Sequence, residues 1–591
     1  MCGIAGIISP EKNSASSTQL MIAAISHRGP DGESFWSNDE QQVHFAHRRL
    51  AIIDLSATGC QPMHYLDRYS IIHNGEVYNY KEIRNTLRGN GYHFKSNSDT
   101  EVIMAAYDCW GVDCLKHFNG MFAFAIWDER EKQLFAARDR FGQKPFYYFF
   151  DKKKNQFAFA SEMKALLMLQ GERKINKKQM LLFLSLGFTS DANDSSSTFY
   201  DGILQLPPAH FLLFNINFPA GPGIHRYWDL DKSAHEKDDE TAIEEFRNLF
   251  KSSVELTFNA DVNVGTCLSG GLDSSSIAAV ASKLSVENNS YKAFTAVFPG
   301  FEKNESSYSA LVARQFGLEQ FIVSPSGDDL VNDLEKFLWH QEQPVGSASA
   351  YVQYKVFELA KSHGIKVLLD GQGADETLAG YLKYLQWNDG GWKKTLALAF
   401  PSAASKFLRS KALKQISGNK DLKQELLNEY KADLVVKPVV HSLNDLLYFN
   451  TCVSGLNELL HYADRNSMAH GREVRLPFLD HRLVEFIASL SSHFKIRGNE
   501  TKWILRKTME NILPREIVWR KDKVGFEPPQ KDWMQNKKIE EMSRAAKKAL
   551  IQEKYLVGSV LEKNFRPHHA YDSDSAEWRY MVAGLALHNE K

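Results

Sequence analysis

Residues 261–284, DVNVGTCLSGGLDSSSIAAVASKL, constrain this chain more than any other stretch. Val262, Val264, Cys267 and Leu268 predict a buried strand. Ser269, Gly270 and Gly271 make a tight loop. From Leu272 onward the apolar residues Leu272, Ile277, Val280 and Leu284 recur at helical spacing. A strand, a glycine pair and a helix in succession bring backbone N–H groups and the positive end of the helix to one point, which suits a phosphate. The hydroxyls of Ser269, Ser274 and Ser275 add donors, and Asp273 is placed to hold Mg²⁺. The string is not a Walker loop, which needs GxxxxGK followed by Ser or Thr. An ordinary strand–turn–helix is the bland reading, and the rest of the chain decides against it.

At 591 residues the chain exceeds what one core holds, so two or more domains are expected. A net charge of −1 points to neither nucleic acid nor an anionic membrane. No apolar run is long enough to span a bilayer, and MCGIAGIISPEKN lacks the basic region of a signal peptide. The cysteines at positions 2, 60, 109, 114, 267 and 452 are scattered, without a zinc spacing. A reducing cytoplasm is the expected compartment.

Cys2 follows the initiator Met directly. Removal of Met1 would leave a terminal cysteine whose own α-amino group, with a pKa near ~8, can serve as its base. The bland alternative is a small buried residue opening the strand CGIAGII. Four polar strings follow: HRGPDG from His27, HRRL from His47, HNGEVYNY from His73 and SDTEV from Ser98. Taken singly, Asn-Gly is a hairpin turn, HRR a charge cluster and SDTEV a helix cap. NGMFAFAIWD, from Asn119, alternates as a strand does, and Asp139–Arg140 reads as a structural ion pair. Residues 214–240 carry Pro, Gly and a charge run, as a linker does. AIEEFRNLFKSSVELTF is an amphipathic helix. Beyond the phosphate loop, AFTAVF, LEQFIVSP and IKVLLDGQGADE read as strands alternating with helices, so a doubly wound parallel sheet is expected. Residues 473–480, EVRLPFLD, read as turn and scaffold.

In order and spacing, Cys2 and the polar strings resemble the glutamine amidotransferase domain of the N-terminal-nucleophile class. SGGLDS resembles the PP-loop of ATP pyrophosphatases. Together the halves resemble glutamine-hydrolysing asparagine synthetases over nearly the whole chain. The resemblance implies an α+β αββα sandwich at 2–213, a linker at 214–240, and an α/β PP-loop domain with a helical C-terminal part at 241–591. It implies a Cys2 nucleophile and an oxyanion hole from Asn74 and Gly75. Arg49 would meet the carboxylate of glutamine, and Glu76 and Asp99 its ammonium. ATP would lie on Leu268, Ser269, Gly270, Gly271, Leu272, Asp273, Ser274, Ala296, Asp370 and Gly371, with Mg²⁺ on Asp273 and Asp375. Lys502 would meet charge at the activated acyl group, and Glu305 stands where the family has an acid. Arg520 and Lys523 are either pyrophosphate contacts or solvated. The implied reaction makes asparagine from aspartate, with ATP split to AMP and pyrophosphate and ammonia passed internally. A homodimer is compatible with the resemblance. Gln372 departs from it, because well-studied members often carry an acid there; this keeps open an acidic sugar or peptide as the amidated carboxylate. A degenerate binder without turnover is disfavoured by the complete residue set, and a β-lactam-forming relative by the presence of Cys2.

Overall fold

The computed structural model describes residues 2–11, 14–171, 173–218, 220–285, 291–388, 418–430, 440–521, 526–572 and 575–588. Two antiparallel sheets of six strands each build the first domain. Gly3–Ile8 lies inside the first sheet, between Val43–Arg49 and Gln156–Ala160. Tyr69–Val77 and Gly120–Asp128 pair in the second. Gly120–Asp128 shows why the layers stack. Phe122, Phe124 and Ile126 face the helices Tyr80–Gly89 and Asp99–Trp110, while Ala123, Ala125 and Trp127 face the other sheet. A period of two therefore buries both faces. Helices Ala15–Ala24 and Lys177–Leu186 cover the outer face of the first sheet through Met21, Ile22, Met180 and Leu181. The result is the expected αββα sandwich.

Within the expected linker, Gly223–Arg226 pairs with His210–Asn215 and completes the second sheet. Asp139 and Arg140, expected as an ion pair, turn to different partners. Asp139 accepts backbone N–H groups from Phe122, Phe141, Gln143 and Lys144 at 2.9–3.2 Å. Arg140 donates to the carbonyls of Phe118, Leu115 and Lys116. Each stitches a turn, because a buried backbone group needs a partner wherever a strand ends.

Helix Asp239–Phe258 opens the second domain. Asp238 caps it by accepting from the Thr241 N–H, and Ala242, Phe246, Phe250 and Val254 form its buried stripe. The parallel sheet runs Glu319–Val323, Lys292–Ala296, Val264–Cys267, Val367–Leu369, Glu473–Arg475. Its order reverses between Val264–Cys267 and Val367–Leu369, and the loops after those two strands are SGGLDS and DGQGADE. A crevice at such a reversal is where open α/β sheets hold ligands. Glu473–Arg475 corrects the expectation of a turn, for it is the fifth parallel strand. Three residues are too few to show a period, so pairing alone makes it a strand. Among the described residues the rest of the domain is mostly helical, and no helix is long and apolar enough to cross a membrane.

Buried charges join the domains. Arg28 donates to both oxygens of Asp464, at 2.8 and 2.9 Å, and to Glu162 at 2.8 Å. Arg465 pairs with Glu342 at 2.7 Å and with Asp464 at 2.8 Å, and Lys164 with Glu162 at 2.7 Å. Burial works against the Asp464 carboxylate, but the Arg28 and Arg465 guanidiniums outweigh it and hold the group at about 2. Its folded pKa thus lies below the unfolded value of roughly 3.9, so its stabilisation is present above that value and is lost as pH falls through about 2. Asp464→Asn is expected to cost ~3–5 kcal/mol at pH 7, by stranding a buried arginine. Thermal unfolding across pH checks this: the gap to wild type should close on acidification, and a gap independent of pH would count against the ion-pair account.

Candidate functional site

The first cluster forms where the two sheets of the sandwich meet. Cys2 opens Gly3–Ile8; it is buried, and its N–H donates to Asn74 Oδ1 at 3.1 Å. Its carbonyl accepts from Arg28 Nε at 3.1 Å, so the interdomain arginine also holds the N-terminal strand. With Oδ1 engaged, Asn74 turns Nδ2 away, and that donor is buried with no partner. An unpartnered buried N–H on a side chain tied to Cys2 suits an oxyanion that forms only during reaction. Gly75 has φ +144°, and a Cβ there would stand 2.1 Å from the Met121 carbonyl oxygen, so only glycine fits. Burial pushes the Cys2 thiol up, which calls for a base close by.

Arg49 ends the strand Val43–Arg49, its guanidinium held by the carbonyls of Ser56 at 3.0 Å and Asp54 at 2.5 Å. The Asp54 carboxylate accepts from the Asn97 N–H at 2.8 Å, which ties the Arg49 loop to the start of helix Asp99–Trp110. There Asp99 accepts the Val77 N–H at 2.9 Å. Glu76 lies next to Val77; burial, with Asp99 and Glu473 nearby, pushes its carboxyl well up, and Arg475 works against them. The structure thus gathers Cys2, Asn74, Gly75 and Glu76, and links Arg49 to Asp99 through Asp54.

The second cluster fills the crevice at the sheet reversal. Gly270 has φ +82°, and a Cβ would stand 2.4 Å from the Ser309 N. Ser269 and Ser274 close the loop from within, Oγ to Oγ at 3.0 Å, and the Gly271 N–H donates to Ser269 Oγ at 3.2 Å. Leu268 and Leu272 are buried beneath the loop, in the apolar core of the second domain. Ala296 ends the neighbouring strand. A Cβ on Gly371 would touch Asp273 Cβ at 3.0 Å, so the two loops meet. Burial pushes Asp370 up, and its Oδ1 accepts the Gln372 N–H at 3.2 Å. Gln372 Oε1 is buried with no partner. Lys502, 3% exposed, places Nζ 2.5 Å from Asp273 and 2.7 Å from Asp375. Burial opposes its charge, but the two carboxylates outweigh that and hold the ammonium above its ordinary range.

The donor set fits a divalent cation. Asp273 and Asp375 converge on one ammonium, and Asp273 Oδ1 is buried with no partner. Among the described residues no group of three or more His, Cys, Asp and Glu side chains makes a ready cage. Mg²⁺ needs only one or two carboxylates and leaves its other positions to waters and phosphates.

Arg520 is not simply solvated: it pairs with Glu305 at 2.6 Å and stacks on Tyr308 at 3.9 Å. Lys523 lies outside the described residues. Sequence reasoning missed the partners of Arg28 and the whole role of Glu473 and Arg475. The strings HRGPDG and EVRLPFLD contain them, but nothing in a string shows that residues 28 and 464 touch.

The family model for the glutamine amidotransferase domain matches residues 1–228, and that for asparagine synthase matches residues 245–589. The chain is 34% identical to asparagine synthetase (glutamine-hydrolyzing) 3 of Bacillus subtilis, over 88% of this chain and 86% of that one. It is 31% identical to asparagine synthetase (glutamine-hydrolyzing) 1 of the same organism, over 91% and 88%. It is also 29% identical to amidase chry2 of Gibberella zeae, over 90% of each. A sandwich with a buried cysteine at residue 2, joined to a PP-loop sheet, defines a two-domain amidotransferase fold. The chain belongs to the glutamine-hydrolysing asparagine synthetase family.

Gly270→Ala tests the packing of the phosphate loop. The strained φ and the clash with Ser309 are expected to cost ~1–3 kcal/mol and to weaken ATP binding at least tenfold by calorimetry. An unchanged melting temperature and affinity would refute it.

Proposed function

We propose that the chain makes an amide from a carboxylate, ATP and glutamine, with aspartate as acceptor and asparagine as product. The observation that carries this reading is the convergence of the loops 269–274 and 371–375 on Lys502, at the reversal of the parallel sheet. In the first site the α-amino group freed by loss of Met1 takes the Cys2 proton. The thiolate attacks the glutamine amide carbon, while Asn74 Nδ2 and the Gly75 N–H receive the oxyanion. The α-ammonium returns that proton to the leaving nitrogen, ammonia departs, and water hydrolyses the thioester to glutamate. Arg49 holds the substrate carboxylate, and Glu76 and Asp99 its ammonium. In the second site the loop 268–274, with Ala296, Asp370 and Gly371, seats ATP. Asp273 and Asp375 would hold Mg²⁺, which neutralises the phosphate charge as pyrophosphate leaves. An acceptor oxygen attacks the α-phosphorus and pyrophosphate departs. Lys502 faces the acyl-adenylate, ammonia attacks its acyl carbon, and AMP is released.

Gln372 favours a second reading, in which the acceptor is another carboxylate such as an acidic sugar or a peptide. Its neutral amide cannot take a proton as an acid at that place can. The similarity to an amidase-named relative agrees with a family whose members differ in what they act on.

The deciding assay is pyrophosphate release with ATP, Mg²⁺ and glutamine, with and without aspartate, the amide being identified by mass. Aspartate-dependent release with asparagine formed is expected; glutamate release without it would favour the second reading. Cys2→Ala should abolish glutamine use and keep activity with ammonium salt. Equal loss from both nitrogen sources would defeat the division into two sites. Asp273→Ala should lose both, and retained pyrophosphate release would remove its metal role.

A further inference from the structure

Three buried polar groups at the domain boundary have no hydrogen-bond partner: Glu76 Oε2, the Tyr78 hydroxyl and Arg475 Nη2. Their side chains lie close together. The Arg475 guanidinium lies 5.5 Å from the centre of the Tyr78 ring, and Nη2 stands 3.7 Å from Glu76 Oε1. Nearly all buried polar groups in proteins are paired, so a cluster of unsatisfied ones calls for an explanation. The other groups of Arg475 belong to the second domain. Nε donates to Glu473 at 2.6 Å, and Nη1 donates to the carbonyls of Thr257 and Asn259 at 2.8 Å each. The Arg475 carbonyl accepts the Asp370 N–H at 3.0 Å, at the root of the loop carrying Gly371 and Gln372. One residue thus holds the nucleotide loop by its main chain and reaches toward Glu76 by its side chain.

The separation of 3.7 Å is too long for a hydrogen bond, and a shift of under an ångström would make one. A substrate ammonium on Glu76 competes with Arg475 for the same carboxylate, so occupancy of the first site changes what Arg475 can reach. Its remaining anchors pass that change to residues 257–259 and to Asp370. We propose that Arg475 is the positioning residue through which glutamine occupancy of the first site and nucleotide occupancy of the second are coupled. This rests on the assignment of Glu76 to the glutamine ammonium.

Coupling in binding is reciprocal, which supplies the test. The Kd for glutamate is measured with and without saturating ATP and Mg²⁺, and the Kd for ATP with and without saturating glutamate. In wild type each is expected to shift at least threefold, in the same sense. In Arg475→Lys both shifts should fall below about 1.5-fold, with basal glutaminase kcat within about threefold of wild type and ammonium-dependent pyrophosphate release retained. Undiminished shifts in Arg475→Lys would overturn the proposal, as would equal loss of every activity in a folded variant. If Arg475→Lys fails to fold, wild type decides: a glutamate Kd that ATP does not move overturns the coupling alone. A wild type without glutaminase activity overturns the glutamine assignment itself, and the coupling with it.

Discussion

The contact between Arg28 and Asp464 is the constraint on which both candidate sites depend. Arg28 is wholly buried, and so are its partners Glu162 and Asp464. A charge in that position is tolerable only where opposite charges and hydrogen bonds meet it at short range. Three cations (Arg28, Lys164, Arg465) face three carboxylates (Glu162, Glu342, Asp464), drawn from both domains. Each domain alone would strand part of that set. The same Arg28 holds the Cys2 carbonyl, so docking of the domains and placement of the N-terminal cysteine share one side chain.

Around that junction the two sites follow separate physical logics. The first uses strand ends: Cys2 directly precedes Gly3–Ile8, which is paired on both sides, and Asn74 and Gly75 are held in Tyr69–Val77 by their pairing with Gly120–Asp128. The second uses loops at the carboxyl ends of two parallel strands, where the reversal of order leaves a crevice that the sheet itself does not fill. Lys502 lies between Asp273 and Asp375 and offsets part of their repulsion, so that the two carboxylates can approach each other. Glu473–Arg475 lies between these regions, paired to Val367–Leu369, with the Arg475 side chain 3.7 Å from Glu76.

Much of this was legible in the chain itself. The phosphate loop, its strand and its helix stand where SGGLDS places them, because glycine at φ +82° and a helix start are local demands. Gly120–Asp128 declared itself by alternation. Helix Asp239–Phe258 did so by its apolar stripe. The misreadings share a cause. Asp139 and Arg140 are adjacent and opposite in charge, yet each serves backbone groups that only the folded turn brings near. The pair of Arg520 with Glu305 was as hard to see, since it spans 215 positions.

The sequence by itself determined the two half-domains, the candidate nucleophile and the candidate nucleotide loop, since those rest on local periodicity, turn chemistry and residue types at close spacing. Only the tertiary structure decided which charges meet: Arg28 with Asp464 across 436 positions, Lys502 with Asp273 across 229, Arg475 beside Glu76. Coulomb energy depends on distance and burial in space, and neither is encoded in separation along the chain.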